Sequence, residues 1–263
     1  MQIDIRAEAA RYYDSNPDFP DDIPFYRDLI PSPQATLLEL GCGTGRVTLA
    51  LAPYCLSIRG IDLSEAMLAV CRQKLYQAGI PRSKVAVQPG DISDFHLDQR
   101  FDLLIAPFRV LQNLETDAQV DGLFDCIHEH LAPGGSCVLN VFRPYLDADA
   151  LREQWATPEE RLSWQVPVPG GRLACYDRRA RMHPDKLVLY PELVYRHYEG
   201  ETLVEESVLK IAMRCYYPQD FESLILGHGF TVLQRWGGYA GEVYSEGPEL
   251  VIQFAEGGGP GVV

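Results

Sequence analysis

Residues 37–46 read Leu-Leu-Glu-Leu-Gly-Cys-Gly-Thr-Gly-Arg, an apolar run that passes into a glycine-rich turn. The apolar residues predict a buried strand, and the residues that follow Arg46 predict a helix. Glycines at 41, 43 and 45 permit positive φ and let a ligand approach the main chain closely. A strand, a tight turn and a helix N-terminus in this order are typical of a nucleoside-binding site.

On both sides of this turn the sequence alternates short apolar runs with segments of helical periodicity. The apolar runs predict strands at 35–40, 57–61, 84–88, 101–106 and 136–142. The clearest helices are predicted from Ser64 to Gly79 and from about Asp117 to Leu131. This alternation predicts a parallel sheet with helices on both faces.

After Tyr145 the pattern changes, because 145–170 is rich in charged residues, Pro and Trp. The alternating stretches beyond it predict three antiparallel strands near 172–181, 186–197 and 202–214. A short helix from Pro218 and strands at about 230–236 and 249–255 complete the chain. We therefore expect four parts: an N-terminal lid (1–34), an α/β core (35–144 and 216–256), an antiparallel β insert that forms a substrate wall or a dimer contact (145–215), and a tail (257–263).

Two acidic residues follow successive predicted strands. Asp62 ends the second strand, where a carboxylate can accept hydrogen bonds from both ribose hydroxyls of an adenosine. Asp91 and Ile92 follow the third strand, where they could hold the adenine. Taken alone, Asp62 could instead cap the helix that begins near Ser64, and Asp91 could form a turn. Together with the glycine turn, they favour a nucleoside site.

The position of the third glycine distinguishes between nucleoside cofactors. A dinucleotide fingerprint requires Gly-x-Gly-x-x-Gly, and the sixth position here is Arg46. Glu39 precedes the turn by two residues. A carboxylate there is unsuited to a pyrophosphate and suited to a ligand with an ammonium group.

These motifs, together with Gly60-Ile61-Asp62-Leu63-Ser64, the run from Phe101 to Phe108 and Leu131-Ala132-Pro133-Gly134-Gly135, resemble those of class I S-adenosylmethionine-dependent methyltransferases of the small-molecule type. The resemblance covers about residues 12–142. It implies an α/β fold with a Rossmann-like, mainly parallel sheet of seven strands, the last of them antiparallel, plus a small antiparallel β insert. It also implies S-adenosylmethionine as the cofactor and methyl transfer to N or O of a small-molecule acceptor.

The resemblance further implies which residues form the site. The glycine turn, the strand-end acids and the neighbouring apolar residues would bind the cofactor: Glu39, Gly41, Cys42, Gly43, Gly45, Asp62, Leu63, Met67, Asp91, Ile92 and Pro107. Tyr13 and Tyr26 in the predicted lid would either lay a ring against the sulfonium or pack on the sheet.

The acceptor would lie beyond the fourth strand, beside residues from three parts of the chain: Phe108, Arg109, Tyr145 and Tyr239. Arg109 could pair with an acceptor carboxylate or form an ordinary surface ion pair. No catalytic residue is assigned, because an activated methyl donor needs mainly alignment and exclusion of water.

Composition excludes other functions. The 263 residues include 23 Lys and Arg against 37 Asp and Glu, a net charge of −14 with no extended basic run, so nucleic acid and membrane are not expected as partners. The seven cysteines form no C-x-x-C pair, so we expect neither a metal nor a disulfide framework.

We expect a cytoplasmic monomer or homodimer. Two rival hypotheses remain: an S-adenosylmethionine-binding protein without methyl transfer, and an NAD-type oxidoreductase.

Overall fold

The computed structural model describes residues 4, 6, 7 and 9–257. Its first half alternates helices and strands as predicted: α1 (Ala10–Tyr13), α2 (Ile23–Asp28), β1 (Thr36–Leu40), α3 (Arg46–Leu51), β2 (Ser57–Asp62), α4 (Glu65–Gln77), β3 (Val85–Pro89), β4 (Phe101–Ala106), α5 (Asp117–His130) and β5 (Leu131–Phe142). Helix α4 begins after Ser64, whose hydroxyl accepts a hydrogen bond from the Met67 amide. Strand β5 begins earlier than predicted, directly after α5.

A second sheet follows α6 (Ala148–Gln154). It contains β6 (Thr157–Val168), β7 (Gly171–His183), β8 (Val188–Glu199), β9 (Thr202–Lys210) and β10 (Met213–Arg214). The prediction of three strands was incomplete, since it missed β6 and joined β9 to β10. Strand β6 lies at the edge of this sheet and pairs only with β7. An edge strand tolerates proline, so Pro167 and the charged residues gave this segment the composition of a loop.

The last elements return to the first sheet: α7 (Pro218–Gly227), β11 (Phe230–Trp236) and β12 (Glu249–Glu256). The strand order of this sheet is β11-β12-β5-β4-β1-β2-β3. Strand β12 is antiparallel to β5 and to β11, and the other pairs are parallel. The predicted seven-stranded sheet with an antiparallel last strand is confirmed. Of the predicted tail, only Gly257 lies within the described residues.

Two apolar clusters cover the two faces of the seven-stranded sheet. One packs α5 and α7 against Leu38, Leu104 and Phe254, and the other packs α2, α3 and α4 against Leu37 and Leu103. Burial on both faces explains why these strands read as continuous apolar runs. The carboxyl ends of β1, β2, β4 and β5 meet at one edge of the sheet, which positions the residues described next. Among the helices of the described residues, none is long and apolar enough to cross a bilayer.

Candidate active site

The three glycines after β1 all adopt positive φ, at 69°, 53° and 80° for Gly41, Gly43 and Gly45. They differ in what surrounds them. A Cβ on Gly41 would lie 2.7 Å from Val110 Cγ2, and one on Gly45 would lie 2.5 Å from Cys71 Sγ. On Gly43, a Cβ would meet nothing nearer than the Asp62 carboxylate at 4.0 Å. Gly43 therefore has open space beside its backbone and next to the Asp62 carboxylate, called the cleft below, whereas glycine is required at 41 and 45 by close packing inside the protein.

Asp62 is 2% exposed at the end of β2. Its Oδ2 accepts a hydrogen bond from the Gly43 amide and its Oδ1 accepts one from the Ser64 amide, both at 2.8 Å. The carboxylate thus fixes the glycine turn to the start of α4. Each carboxylate oxygen can accept more than one hydrogen bond, so Asp62 retains capacity for the hydroxyls of a ligand beside Gly43.

Glu39 is buried near the end of β1, where it accepts a hydrogen bond from the Thr48 hydroxyl of α3. Burial raises its pKa to about 8. At neutral pH the carboxyl group is therefore mostly protonated, and a cation beside it would favour the charged form. This environment is consistent with the ammonium group that the sequence predicted as its neighbour.

Residues of the predicted lid contact the glycine turn through carboxylates that the sequence analysis did not identify. Asp14 accepts a hydrogen bond from the Thr44 hydroxyl at 2.7 Å. Asp22 is fully buried and accepts two hydrogen bonds from the Arg46 guanidinium, at 2.5 and 2.8 Å. Since removal of one partner leaves the other charge buried and unpaired, this ion pair ties the N-terminal segment to α3.

The start of the described chain reaches the same edge of the sheet. An Arg6 guanidinium nitrogen donates a hydrogen bond to Asn113 Oδ1 at 3.0 Å, and another lies 3.9 Å from Asp62 Oδ1. Asp4 accepts a hydrogen bond from the Ser64 hydroxyl at 2.8 Å. The N-terminal segment therefore lies against the end of β2 and the start of α4.

Aromatic side chains connect this segment to the end of β4. The ring centroids of Tyr13 and Phe19 are 5.3 Å apart, and those of Phe19 and Phe108 are also 5.3 Å apart. The Arg46 guanidinium lies 4.9 Å from the centre of the Phe19 ring. Burial raises the pKa of Tyr13 to about 12, so its hydroxyl stays protonated. Phe19 was not predicted, because no local pattern distinguishes it from a packing residue.

Tyr26 differs from Tyr13. Its ring is fully buried in the core beneath α2 and contacts Phe25 and Tyr239. These contacts correspond to the packing alternative for Tyr26. The predicted acceptor residue Tyr239 belongs to this same aromatic cluster.

The end of β4 carries two residues in the left-handed region, Phe108 at φ 58° and Arg109 at φ 68°. For residues other than glycine, each such conformation costs about 1–3 kcal/mol. The Arg109 amide donates a hydrogen bond to Asn140 Oδ1 at 3.1 Å, and its guanidinium pairs with the buried carboxylate of Glu249. Arg109 therefore forms an ion pair, as in the second alternative, but with a buried partner, and its pairing with an acceptor carboxylate stays a prediction.

The remaining predicted residues differ in their access to the cleft. Leu63 is exposed, whereas Met67, Ile92 and Pro107 are buried. The Cys42 thiol is buried against Gly60, so only the Cys42 backbone borders the turn. Asp91 accepts hydrogen bonds from the amide and the hydroxyl of Ser93. These bonds correspond to the alternative in which Asp91 forms a turn. Tyr145 is 74% exposed, and its hydroxyl accepts a hydrogen bond from Arg179.

One group of potential metal ligands lies apart from this site and contains His96, Glu129 and His130. Both ring nitrogens of His130 already have backbone partners, the carbonyl of Cys126 and the amide of Leu97. Because both nitrogens bind the backbone, His130 has a structural role.

Comparison with known proteins shows the fold and a domain match over part of the chain. Residues 37–135 match a protein family described as a methyltransferase domain. The structure of an S-adenosylmethionine-dependent methyltransferase from Clostridium acetobutylicum superimposes with a TM-score of 0.74 and 17% identity, over 95% of this chain and 98% of that one. Residues 37–135 are thus similar to a methyltransferase domain, and the structural likeness shows the fold of an S-adenosylmethionine-dependent methyltransferase.

Two curated methyltransferases act on amino sugars. The dTDP-3-amino-3,6-dideoxy-alpha-D-glucopyranose N,N-dimethyltransferase of Streptomyces fradiae is 30% identical over 105 residues, 40% of this chain and 38% of that protein. The dTDP-3-amino-3,4,6-trideoxy-alpha-D-glucopyranose N,N-dimethyltransferase of Streptomyces venezuelae is 28% identical over 135 residues, 50% of this chain and 53% of that protein. The matched part of this chain therefore spans about half or less of the length of these relatives.

Proposed function

We propose that this protein transfers a methyl group from S-adenosylmethionine to an amine nitrogen of a small molecule, with amino sugars as the leading acceptor class. The observation that carries the proposal is the open space at Gly43 beside the buried Asp62 carboxylate. The amine acceptor is supported by the two N,N-dimethyltransferases that the chain resembles.

The residues present fit this cofactor. Gly43 leaves room that a Cβ would fill, and Asp62 has lone pairs for ribose hydroxyls. Glu39 would lie near the ammonium group, and the exposed Leu63 would lie near the adenine. When bound, the cofactor supplies a methyl group already activated as a sulfonium. The protein's task is then to align the acceptor and exclude water, a role that we assign to the packed rings of Tyr13, Phe19 and Phe108.

The NAD-type alternative is disfavoured by the charges around the start of α3. A dinucleotide places its pyrophosphate at the helix that follows the glycine turn. Here that helix begins at Arg46, whose charge is already paired with Asp22, and Asp14 contacts the adjacent Thr44. Because Asp22 already neutralises Arg46, this side chain offers little compensating charge to a pyrophosphate.

Burial of the tyrosines favours an amine over a hydroxyl acceptor. A hydroxyl needs a base within hydrogen-bond reach, whereas a neutral amine can attack without one. Burial raises the pKa of Tyr13 to about 12 and raises the pKa of Tyr195 and Tyr239 still further. These phenols stay protonated at neutral pH and can donate hydrogen bonds, but they do not take a proton from an acceptor.

The second sheet is proposed as the acceptor wall. Its Tyr195 stacks on Tyr12 at 6.0 Å between ring centroids, and the Tyr12 hydroxyl donates to Glu205 at 2.7 Å. The insert is thereby joined to α1, which includes Tyr13 of the aromatic cluster.

A cytoplasmic location, a monomeric or homodimeric state and the lack of a nucleic-acid partner remain predictions.

The experiment has two stages. Calorimetry first compares S-adenosylmethionine, S-adenosylhomocysteine and NAD, and only the first two are expected to bind. A panel of small amines, phenols and carboxylates is then scored by release of S-adenosylhomocysteine, with turnover expected for amines. Binding of NAD alone would overturn the cofactor assignment, and cofactor binding without turnover of any amine would favour the non-transferring alternative.

A further inference from the structure

We infer that Asn140 and Glu249 are positioning residues for the acceptor half of the site, and that they act through the turn at residues 107–110. The inference rests on the proposed function. Neither residue faces the cofactor cleft beside Gly43, and neither was singled out from the sequence. Their effect is exerted on Arg109, which both of them bind.

The three side chains form a closed set of contacts. Asn140 is fully buried in an otherwise apolar part of β5, and Glu249 is buried at the start of β12. Asn140 accepts a hydrogen bond from the Arg109 amide at 3.1 Å and donates one to Glu249 Oε2, also at 3.1 Å. Arg109 Nε donates to Glu249 Oε1 at 3.0 Å. Asn140 binds the backbone of Arg109, Glu249 binds its side chain, and the bond between Asn140 and Glu249 joins these two partners.

This constraint explains the backbone of the turn. Phe108 and Arg109 are consecutive non-glycine residues in the left-handed region. Such a backbone conformation persists only where the surrounding contacts hold it. Asn140 fixes the amide of Arg109, and Glu249 fixes its guanidinium from the adjacent strand. Without these two partners, we expect the turn to relax toward ordinary negative φ.

Relaxation of the turn would move two surfaces of the proposed site. Val110 is packed so closely on Gly41 that a Cβ there would lie 2.7 Å from its side chain. The Phe108 ring lies 5.3 Å from Phe19, in the aromatic cluster over the cleft. Asp62 and its partners Gly43 and Ser64 lie outside this set of contacts, so cofactor binding should depend on it much less than acceptor alignment does.

The test compares Asn140→Leu and Glu249→Gln with the control Gln253→Leu. Gln253 lies on β12 four residues beyond Glu249 and donates a hydrogen bond to Ser136, away from the turn. Amide hydrogen exchange of residues 108–113 should rise in Asn140→Leu and remain unchanged in the control. With an amine found in the panel, kcat should fall about 10-fold or more in Asn140→Leu, because small misplacements of reacting groups are costly. Glu249→Gln keeps an oxygen that can accept a hydrogen bond from Arg109, so its kcat should fall less than that of Asn140→Leu.

The affinity for S-adenosylhomocysteine, measured by calorimetry, should stay within about 3-fold of wild type in all three variants. Unchanged exchange in the turn, or kcat within the same range as the control, would overturn the inference. So would a loss of S-adenosylhomocysteine affinity as large as the loss of kcat, since the effect would then be a general one on the fold. If Asn140→Leu does not fold, the same three measurements on Glu249→Gln test the inference. Failure of wild type to bind S-adenosylhomocysteine would instead reject the proposed function, and the exchange measurement needs no turnover.

Discussion

The Gly43 amide donates a hydrogen bond to Oδ2 of Asp62 at 2.8 Å, and this bond joins the turn after β1 to the end of β2. The same carboxylate binds the Ser64 amide at the start of α4. Asp62 therefore organises the cleft as well as offering lone pairs to a ligand. The helix-capping and ligand-binding interpretations of Asp62 are compatible, because its two oxygens can serve both.

We predict that Asp62→Ala weakens S-adenosylmethionine binding by about 1–3 kcal/mol, because ribose hydroxyls lose a charged partner. Titration calorimetry measures the change. The matched control is Asp102→Ala, since Asp102 also accepts a hydrogen bond from a backbone amide, that of Thr36, at 2.8 Å. Asp102 lies at the amino end of β4, so its removal should lower stability and leave the affinity unchanged. Equal affinity in wild type and Asp62→Ala would remove Asp62 from the site.

We predict that Gly43→Ala lowers cofactor affinity at least about 10-fold, because the added methyl group fills the space that a ligand needs beside the backbone. The control is Gly79→Ala. Gly79 has φ 65°, and nothing lies within 4 Å of its Cβ position. Both variants carry the cost of a left-handed alanine, about 1–2 kcal/mol of stability. The assignment of Gly43 fails if the two variants bind S-adenosylmethionine equally well.

We predict that Glu39→Gln changes how stability depends on pH. Burial raises the pKa of Glu39 from 4.5 to about 8, so the folded chain keeps a proton that the unfolded chain releases in this range. The stability that the protonated carboxyl contributes is complete below pH 4.5 and is lost as pH rises toward 8. Glutamine imitates the protonated form and does not titrate.

Urea unfolding at both ends of this range tests the prediction. The variant should resemble wild type at the acidic end and exceed it by about 1 kcal/mol or more at the basic end. A difference in the free energy of unfolding that is the same at both pH values would show that Glu39 titrates normally in the folded chain.

We predict that Arg46→Met lowers the free energy of unfolding by about 3–5 kcal/mol, since Asp22 is left buried without its partner. In a double-mutant cycle with Asp22→Leu, the double variant should lose less than the sum of the single losses. The exposed pair formed by Glu65 and Arg72 on α4 provides the comparison and should show almost no coupling. Additive losses for Asp22 and Arg46 would show that the pair does not anchor the N-terminal segment.

The sequence predicted the parts of the site that depend on local patterns. Apolar runs and glycine spacing located β1, the turn and Asp62, because strand burial and positive φ are written in neighbouring residues. The second sheet was only partly predicted, since the edge strand β6 tolerates Pro167 and charged residues. The Asn140 and Glu249 contact joins residues 109 positions apart, and no local pattern specifies it. The polar Asn140 within an apolar strand was the one signal available for it.

The most direct test of the proposed activity compares an amino sugar with the matching sugar in which a hydroxyl replaces the amine. Wild type is incubated with S-adenosylmethionine and each sugar, and mass spectrometry detects the methylated product alongside S-adenosylhomocysteine. We predict that the amine gains one or two methyl groups and that one S-adenosylhomocysteine forms for each methyl group transferred, while the hydroxyl sugar is unchanged. Methylation of the hydroxyl sugar, or bound cofactor with no methylated amine, would contradict N-methyl transfer.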